Sequence, residues 1–385
     1  MGEHSSRFSG AMAVIEDGIR DGLHIGAQMY VSQHGNPLVD IAVGDAKPGV
    51  AMATDTIMLW LSSCKPITAV AIAKMWQEGL LELDDPVAKH IPEFAAKGKQ
   101  EITIRHLLTH TGGFRWVDYA FDQDWETIIA NICEARPEPR WIFGRTSGYH
   151  LHSSWFILAE IIQRMDSPHR TFEQYVTNEI FSPLGMNDCY YALSPQQYNQ
   201  FGDRMGKLAT TGGKPIKAIQ FDSPELCMAV VPGGSCRGPI RQLGRFYEML
   251  LSRDKLISPQ TIEAITARHR TGLYDLTFQH IVDWGLGFIV NSSQYGEQTV
   301  PYGFGPHASP RAFGHGGSQS SAGMADPEYG LVVAVVFNGM PGEKAHNRRI
   351  RALLKAIYED LQLSRPSAAA PGEGAESAST SPQNA

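Results

Sequence analysis

The sequence contains no hydrophobic run that approaches the ~20 residues of a membrane span. Residues 1–6 are polar and lack the apolar core of a secretory signal. Cysteines are few and scattered, at Cys64, Cys133, Cys189, Cys227 and Cys236. An odd number of wide-spaced cysteines without a C-x-x-C pair is typical of a reducing compartment rather than a disulfide framework or a zinc knuckle. We therefore expect a cytoplasmic protein with no membrane partner.

The chain also lacks an excess of positive charge. Its 33 lysines and arginines are outnumbered by 40 aspartates and glutamates, which gives a net charge of -7. Such a balance disfavours nucleic acid and anionic membranes as partners. With 43% hydrophobic residues over 385 positions, the chain can bury a sizeable core. The composition thus favours a globular protein whose partners are neither nucleic acids nor anionic membranes.

Apolar periodicity distinguishes the two ends of the chain from its middle. An amphipathic helix at 8–23 and a β-hairpin at 26–43 come first, and a buried strand at 331–337 and a second amphipathic helix at 350–361 come last. Residues 115–270 have the pattern of helices joined by polar connections. We therefore predict an α+β fold in which both chain ends build an antiparallel sheet flanked by helices, with an inserted helical lobe.

The same pattern predicts the domain boundaries. Residues 1–65 and 271–363 are assigned to the sandwich of sheet and helices, and residues 66–270 to the mainly helical lobe. We expect the active site at the junction of these two parts. Residues 364–385 are rich in Ser, Ala, Pro, Gly and Glu and have no apolar pattern, which predicts a disordered tail.

Ser62 and Lys65 stand three residues apart at the start of an apolar, helix-forming run that ends at Gly79. On a helix these two positions share a face, so the lysine amine lies over the serine hydroxyl. A serine hydroxyl is a poor nucleophile at neutral pH, and a neutral lysine beside it can accept its proton. Backbone N–H groups at a helix start also stabilise an oxyanion. We predict that Ser62 is an acyl-accepting nucleophile.

The S-x-x-K pattern occurs a second time, at Ser252 to Lys255. This copy is highly polar and follows an apolar stretch with helical spacing, at 240–251. Serine and lysine mostly serve as caps and solvated surface groups. We interpret the second copy as a frayed helix end.

Two other segments can complete a site around Ser62. Tyr149 follows a glycine and precedes a predicted helix, and a tyrosine beside a lysine loses its proton more easily and can then serve as base or proton shuttle. The alternative is a half-buried structural tyrosine. The segment His315-Gly316-Gly317-Ser318 precedes the buried strand, and its glycines let a substrate approach the backbone, so the Ser318 N–H is a candidate oxyanion donor. The alternative there is a glycine-rich bulge or turn.

Four segments together resemble a known family, at 61–69 (LSSCKPITA), 102–113 (ITIRHLLTHTGG), 232–235 (PGGS) and 314–317 (GHGG). They are similar to the serine hydrolases of the class C β-lactamase and DD-peptidase type, including their esterase and transesterase relatives. The resemblance covers most of residues 8–360. It implies an α/β sandwich with a helical lobe, a covalent acyl-enzyme and no cofactor.

The resemblance also implies roles for single residues. Ser62 would be the nucleophile, Lys65 its partner base and Tyr149 the second proton-transfer residue. The segment from His315 to Ser318 would be the strand that lines the substrate.

The sequence departs from the family pattern at two positions. Leu151 occupies the position of the usual asparagine in the motif that begins at Tyr149. His315 stands where true β-lactamases usually have a lysine that helps to hold the substrate carboxylate, and a histidine is mostly neutral at pH 7. We therefore expect an esterase, amidase or acyl transferase for a small molecule. The alternative within the family is a β-lactamase or D-amino-acid peptidase.

Two rival functions remain open from the sequence. His106 and His110 have the i, i+4 spacing of a zinc helix, and His150 and His152 could add ligands, but Leu107 stands where such a motif has its glutamate. We expect no metal. The other rival is a non-catalytic sensor of acyl ligands on the same fold, against which the combination of serine, lysine and tyrosine argues.

The tail should be dispensable. We predict that deletion of residues 366–385 leaves melting temperature and activity nearly unchanged, because the tail has no apolar residues at a regular spacing to bury. Melting temperature and ester turnover of the full and the shortened chain check this. A drop of more than a few per cent in either quantity would mean that the tail docks on the folded part.

Overall fold

The computed structural model describes residues 7–212, 217–252 and 256–363. The predicted disordered tail and Lys255 of the second S-x-x-K copy lie outside these residues. The strands of the described part are β1 Gly26–Gln33, β2 Asn36–Lys47, β3 Val50–Ala51, β4 Met58–Leu59, β5 Ala209–Thr210, β6 Lys217–Ala218, β7 Arg237–Gly238, β8 Tyr274–Asp275, β9 His280–Ile281, β10 Ile289–Val290, β11 Phe313–Gly317, β12 Ser321–Asp326, β13 Leu331–Phe337 and β14 Gly339–Met340.

The α-helices of the same residues are α1 Ser9–Arg20, α2 Lys65–Gln77, α3 Ile104–Leu108, α4 Trp125–Glu134, α5 Ser153–Met165, α6 Phe172–Val176, α7 Pro195–Phe201, α8 Pro224–Cys227, α9 Ile240–Ser252, α10 Pro259–Thr266 and α11 Glu343–Asp360. Short 3₁₀ segments occupy Leu61–Cys64, Val87–Lys89, Pro92–Gly98, Gly202–Arg204, Gln220–Asp222 and Ser293–Tyr295, and one π-turn occupies Thr177–Phe181. None of these described helices is both long enough and apolar enough to cross a membrane.

A seven-stranded antiparallel sheet is the centre of the fold. Its strand order is β10-β11-β12-β13-β1-β2-β3. Strand β13, which is apolar and buried at every residue, lies between β1 from the start of the chain and β12 from its end. Apolar side chains on both faces of β13 require cover on both faces of the sheet. The predicted α+β architecture with a sheet from both chain ends is confirmed.

The first and last helices cover one face of this sheet. Apolar residues of α1 and α11, among them Ile15 and Leu353, pack in one core with Met29 and Val335 of the sheet. The Asp360 carboxylate near the end of the chain accepts hydrogen bonds from the backbone N–H groups of residues 10 and 11. Because α1 and α11 pack side by side on the same face of the sheet, the first and last described elements share one core.

The other face of the sheet joins the helical lobe. Helix α9 packs against β1, β12 and β13, and its residues share one core with Ala334 of the sheet and with α2 and α5 of the lobe. Helix α9 belongs to the segment 66–270 that the sequence assigned to the lobe. This helix therefore contacts the sheet directly, although the prediction places it in the lobe. The predicted domain boundaries themselves stay a prediction.

The start of the S-x-x-K helix differs from the prediction. Residues Leu61–Cys64 form a 3₁₀ turn, and α2 begins only at Lys65. Leu61 has a φ of 49°, in the left-handed region that most side chains avoid, so the chain reverses sharply just before Ser62. In a 3₁₀ turn residues i and i+3 are nearly eclipsed. The predicted pairing of Ser62 with Lys65 thus survives, although Ser62 is not in the α-helix.

Candidate active site

The turn that carries Ser62 is held in place by its backbone and by one tryptophan. The Trp60 N–H donates to the carbonyl of Cys236 at 2.9 Å, and the Trp60 indole donates to the carbonyl of Gly238 at 3.0 Å. Strand β4 before the turn pairs with β7, which contains Gly238. Residues 236–238 therefore hold the backbone that enters the sharp turn at Leu61.

Ser63 ties the same turn to the sheet. Its hydroxyl donates to the carbonyl of His315 at 3.2 Å and lies 2.9 Å from the hydroxyl of Ser321, which in turn donates to the carbonyl of Trp60 at 2.6 Å. Ser63 is fully buried, whereas Ser62 remains partly exposed. Of the two neighbouring serines, Ser63 has a structural role and Ser62 is accessible to a substrate.

Lys65 is buried among neutral groups. Its amine donates to the Ser62 hydroxyl at 2.9 Å and to the carbonyl of Gly233 at 2.6 Å. It also lies 5.2 Å from the ring centre of Tyr149 and 5.4 Å from that of Trp155. Burial disfavours the charged form and lowers the pKa of Lys65 from 10.5 to about 7. A large fraction of Lys65 is therefore a neutral amine at physiological pH, as a base for Ser62 has to be.

Tyr149 is placed next to Lys65, as predicted, but its protonation differs from the prediction. Burial raises the pKa of Tyr149, and contact with the Ser62 hydroxyl opposes this rise only in part. The prediction that the neighbouring lysine makes Tyr149 lose its proton is therefore wrong, because desolvation of a phenolate outweighs a lysine that is itself partly neutral. Apart from its contact with the Ser62 hydroxyl, the buried Tyr149 hydroxyl has no polar partner within the described residues. It is available as a proton donor to a substrate.

A buried ion pair positions the Tyr149 backbone. The Asp275 carboxylate accepts from the N–H of Tyr149 at 3.0 Å and from the N–H groups of Thr277 and Phe278. Its other oxygen accepts from Arg270 at 3.0 Å, and Arg270 also donates to the carbonyl of Thr109. Both side chains are buried, and the resulting network joins four segments at Tyr149. The sequence analysis contains no signal for this pair, because its partners at residues 109 and 149 are distant along the chain.

The segment from His315 to Ser318 approaches the nucleophile turn closely. A side chain at Gly317 would place its Cβ 2.2 Å from the carbonyl oxygen of Trp60, so only glycine fits. Residues 315–317 end strand β11, and Ser318 begins the turn that follows. Ser318 therefore directly follows the residue that contacts the turn before Ser62. This position suits the predicted role of the Ser318 N–H as an oxyanion donor.

His315 is a neutral side chain in this site. Burial, and then the nearby Lys65, lower the pKa of His315 to about 3. Its Nδ1 lies 2.7 Å from the carbonyl of Gly316, which fixes Nδ1 as the donor and Nε2 as an acceptor. Nε2 is buried and has no hydrogen-bond partner within the described residues. His315 thus offers an acceptor and no permanent charge.

Four histidines that the sequence singled out as metal candidates have other contacts. His106 Nδ1 accepts from the N–H of Thr103 and completes the N-terminal cap of α3, and His110 Nδ1 accepts from the N–H of His150. His150 Nε2 accepts from the N–H of residue 114, and the His152 ring packs 4.8 Å from that of Phe121. Within the described residues no three metal-binding side chains converge on one point.

Two residues of the site, Gly233 and Trp155, have no individual role in the sequence analysis. The Gly233 carbonyl holds Lys65, and a side chain at Gly233 would meet the Lys65 amine at 3.1 Å. Trp155 flanks the same amine. Of the two, only Gly233 carried a signal in the sequence, as part of the segment at 232–235 in the family resemblance.

Two residues that the sequence analysis did name also lie near this amine. The His152 ring lies over Gly234, and Leu151, at the asparagine position, is 40% exposed.

The arrangement is suited to acyl transfer. It combines an accessible hydroxyl, a largely neutral amine 2.9 Å from it and a protonated phenol close to both. Such a set can activate a serine, and it can return the proton to a leaving group.

Comparison with known proteins agrees with this chemistry. The family model described as Beta-lactamase matches residues 12–357. The chain is 24% identical to the esterase/beta-lactamase LipL of Mycobacterium tuberculosis over 349 residues, which cover 81% of this chain and 77% of LipL. Among solved structures it is similar to a family VIII carboxylesterase (25% identity, TM-score 0.78, 94% of this chain and 99% of the other). It is also similar to a penicillin-binding protein homologue from Caulobacter crescentus (27%, 0.77, 92% and 97%).

The lowered pKa of Lys65 predicts the pH dependence of Ser62 acylation. Because the neutral amine is the base, kcat/KM for p-nitrophenyl butyrate should rise about tenfold per pH unit below pH 7 and level off above about pH 8. The buried histidines of the site have pKa values well below this range, and Tyr149 titrates above it.

A pH profile from 5.5 to 9 measures this midpoint. The matched variant is Lys65→Arg, which keeps a cation that cannot lose its proton and should therefore abolish the rising limb. A flat profile between pH 6 and 8 in the unmodified protein would contradict the assignment of Lys65 as the base.

Proposed function

The chain belongs to the beta-lactamase family, and we propose that it forms its covalent acyl-enzyme on Ser62. The protein is a serine hydrolase or acyl transferase that acts on a small-molecule ester or amide. The contact of 2.9 Å between the Ser62 hydroxyl and the Lys65 amine carries this assignment. It supports nucleophilic catalysis because burial keeps that amine largely neutral.

Each proposed step moves one proton. Neutral Lys65 takes the proton of the Ser62 hydroxyl while the serine oxygen attacks the substrate carbonyl, and the backbone N–H groups of Ser62 and Ser318 hold the resulting oxyanion. The tetrahedral intermediate then expels its leaving group, which receives a proton from the Tyr149 hydroxyl. Lys65 returns its proton to Tyr149, so that both groups are ready for the second half of the reaction.

The acyl group leaves Ser62 by the reverse path. A water molecule or an acceptor alcohol or amine loses its proton to the same pair as it attacks the acyl-enzyme. The hydrolase and the acyl transferase differ only in this second nucleophile. The partner in either case is a small molecule, and the acidic net charge supports neither nucleic acid nor an anionic membrane.

Neutral esters are the proposed substrates. His315 is neutral where related β-lactamases keep a lysine, and Leu151 offers no amide. A carboxylate-bearing β-lactam therefore meets no permanent cation at this strand. The comparison with LipL, whose printed name includes both esterase and beta-lactamase, keeps β-lactam hydrolysis as the second candidate.

The proposed location is the cytoplasm. Its support is that the five cysteines are all free and buried, which suits a reducing compartment.

Acylation of the protein by an ester tests the proposed nucleophile. We expect a mass increase of one acyl group, mapped to Ser62, and no adduct on the Ser62→Ala variant. Ser63→Ala, the matched control, should keep acylation at Ser62 if it folds, because its hydroxyl is used in structural hydrogen bonds. An adduct on Ser63 would overturn the proposal.

Lys65→Ala and Tyr149→Phe test the proton path in the same assay. Each should lower the acylation rate by about 10²–10⁴, the usual contribution of positioned proton transfer. The effects in the double variant should be less than multiplicative, because both groups serve one path. Two losses that multiply would count against a shared role.

Substrate preference distinguishes the two candidate functions. Loss of a cation and of an amide contact should each cost about 1–3 kcal/mol, and together they correspond to roughly 10²–10⁴ in rate. We therefore expect kcat/KM for p-nitrophenyl butyrate to exceed that for nitrocefin by this factor at pH 7–8. A protein that hydrolyses nitrocefin as efficiently as the ester would be a β-lactamase instead.

A further inference from the structure

The N-terminal end of α11 lies beside the strand that lines the site. The Gly342 N–H donates to the Gln319 side chain at 2.7 Å, which ties this helix end to the turn that begins at Ser318. The next residue, Glu343, accepts from the Tyr302 hydroxyl with oxygen–oxygen distances of 2.8 and 3.0 Å. An acidic side chain therefore stands next to the proposed oxyanion donor.

Tyr302 connects Glu343 to the substrate strand. Its ring lies over Gly316, where an added Cβ would come within 2.2 Å of the Tyr302 Cδ1 atom. The ring is also 5.8 Å from that of Phe278, which stacks on Tyr149 at 4.8 Å. The rings of Tyr302, Phe278 and Tyr149 thus form a continuous series of contacts between Glu343 and the proposed proton donor.

Glu343 differs from the other carboxylate near Tyr149. Asp275 is buried and paired with Arg270, so its charge is compensated. Glu343 is an exposed residue, and its contacts are the hydroxyl of Tyr302 and the Gln319 side chain rather than a cation. Its negative charge acts on the Tyr149 hydroxyl and contributes to the raised pKa of that group. A substrate that is held at Tyr149 and extends along Phe278 and Tyr302 therefore approaches the Glu343 carboxylate.

We propose that Glu343 is a specificity-determining residue, which favours acyl substrates with a cationic group and disfavours those with an anionic group. The inference rests on the proposed function of the Ser62 site. The carboxylate attracts a substituted ammonium group, and the neighbouring rings of Tyr302 and Phe278 add aromatic groups of the kind that attract such a cation. The Lys65 amine, which is largely neutral, lies at the reacting end of the site rather than at this end.

A purely structural role of Glu343 makes a different prediction. An acidic residue in the first turn of α11 also stabilises the helix through its dipole. Loss of that stabilisation would lower the melting temperature and would change the rates of all substrates by the same factor. A specificity role changes the ratio of rates between substrates of different charge.

Three p-nitrophenyl esters of matched shape test the inference. They are the 4-(trimethylammonio)butyrate, its neutral carbon analogue the 5,5-dimethylhexanoate, and the anionic hemiglutarate. We compare kcat/KM of the unmodified protein with that of Glu343→Gln, which can still accept from Tyr302 but carries no charge. The control is Glu16→Gln, which also removes one exposed carboxylate. Glu16 lies on α1 and is not among the residues that form the site.

In Glu343→Gln the ratio of kcat/KM for the cationic ester to that for the neutral ester should fall about three- to fivefold, which is the effect of one exposed charge. The ratio for the anionic ester to the neutral ester should rise by a similar factor. Both changes should shrink at high salt. Glu16→Gln should leave both ratios unchanged. Equal ratios in the unmodified protein and Glu343→Gln would overturn the inference while the proposed function stands. Absence of turnover of all three esters would overturn both.

Discussion

The contact between the Lys65 amine and the Ser62 hydroxyl is the interaction on which the rest of the site depends. An ammonium group at this position would be buried against a carbonyl, a hydroxyl and two aromatic rings, with no charge to compensate it. One pKa unit corresponds to about 1.4 kcal/mol, so the fall from 10.5 to about 7 is a cost of several kcal/mol for the charged form. The fold thereby supplies a base at neutral pH without a second ionised group.

The surroundings of Lys65 preserve that property. His110, His150 and His315 are all buried, and burial is the main reason why the pKa of each lies far below its ordinary value. A protonated histidine there would depress the lysine pKa further and compete for protons. The buried ions beside Tyr149, Asp275 and Arg270, neutralise each other. The neutral site therefore follows from the removal of water rather than from any single residue.

The relative positions of the nucleophile turn and the substrate strand are fixed where the sheet meets the helices. Ser62 lies in the turn that leads into α2, and Lys65 is the first residue of that helix. The strand with His315 belongs to the sheet, and Ser63 joins the turn to this strand through the carbonyl of His315. The absence of a side chain at Gly317 lets the two backbones approach. Because both parts share one continuous core, a movement of the sheet against the lobe would disturb the nucleophile and the substrate strand together.

The sequence alone determined the elements and most of the site. Periodicity identified the β13 strand and its buried faces, and the S-x-x-K spacing paired Ser62 with Lys65. These features depend on neighbours within a few positions of the chain, where local geometry is fixed by the backbone. Only the tertiary structure showed the protonation of Tyr149, the structural hydrogen bonds of Ser63 and the buried pair of Asp275 with Arg270. Each of these depends on burial or on a contact between distant segments, and desolvation and charge act through space rather than along the sequence.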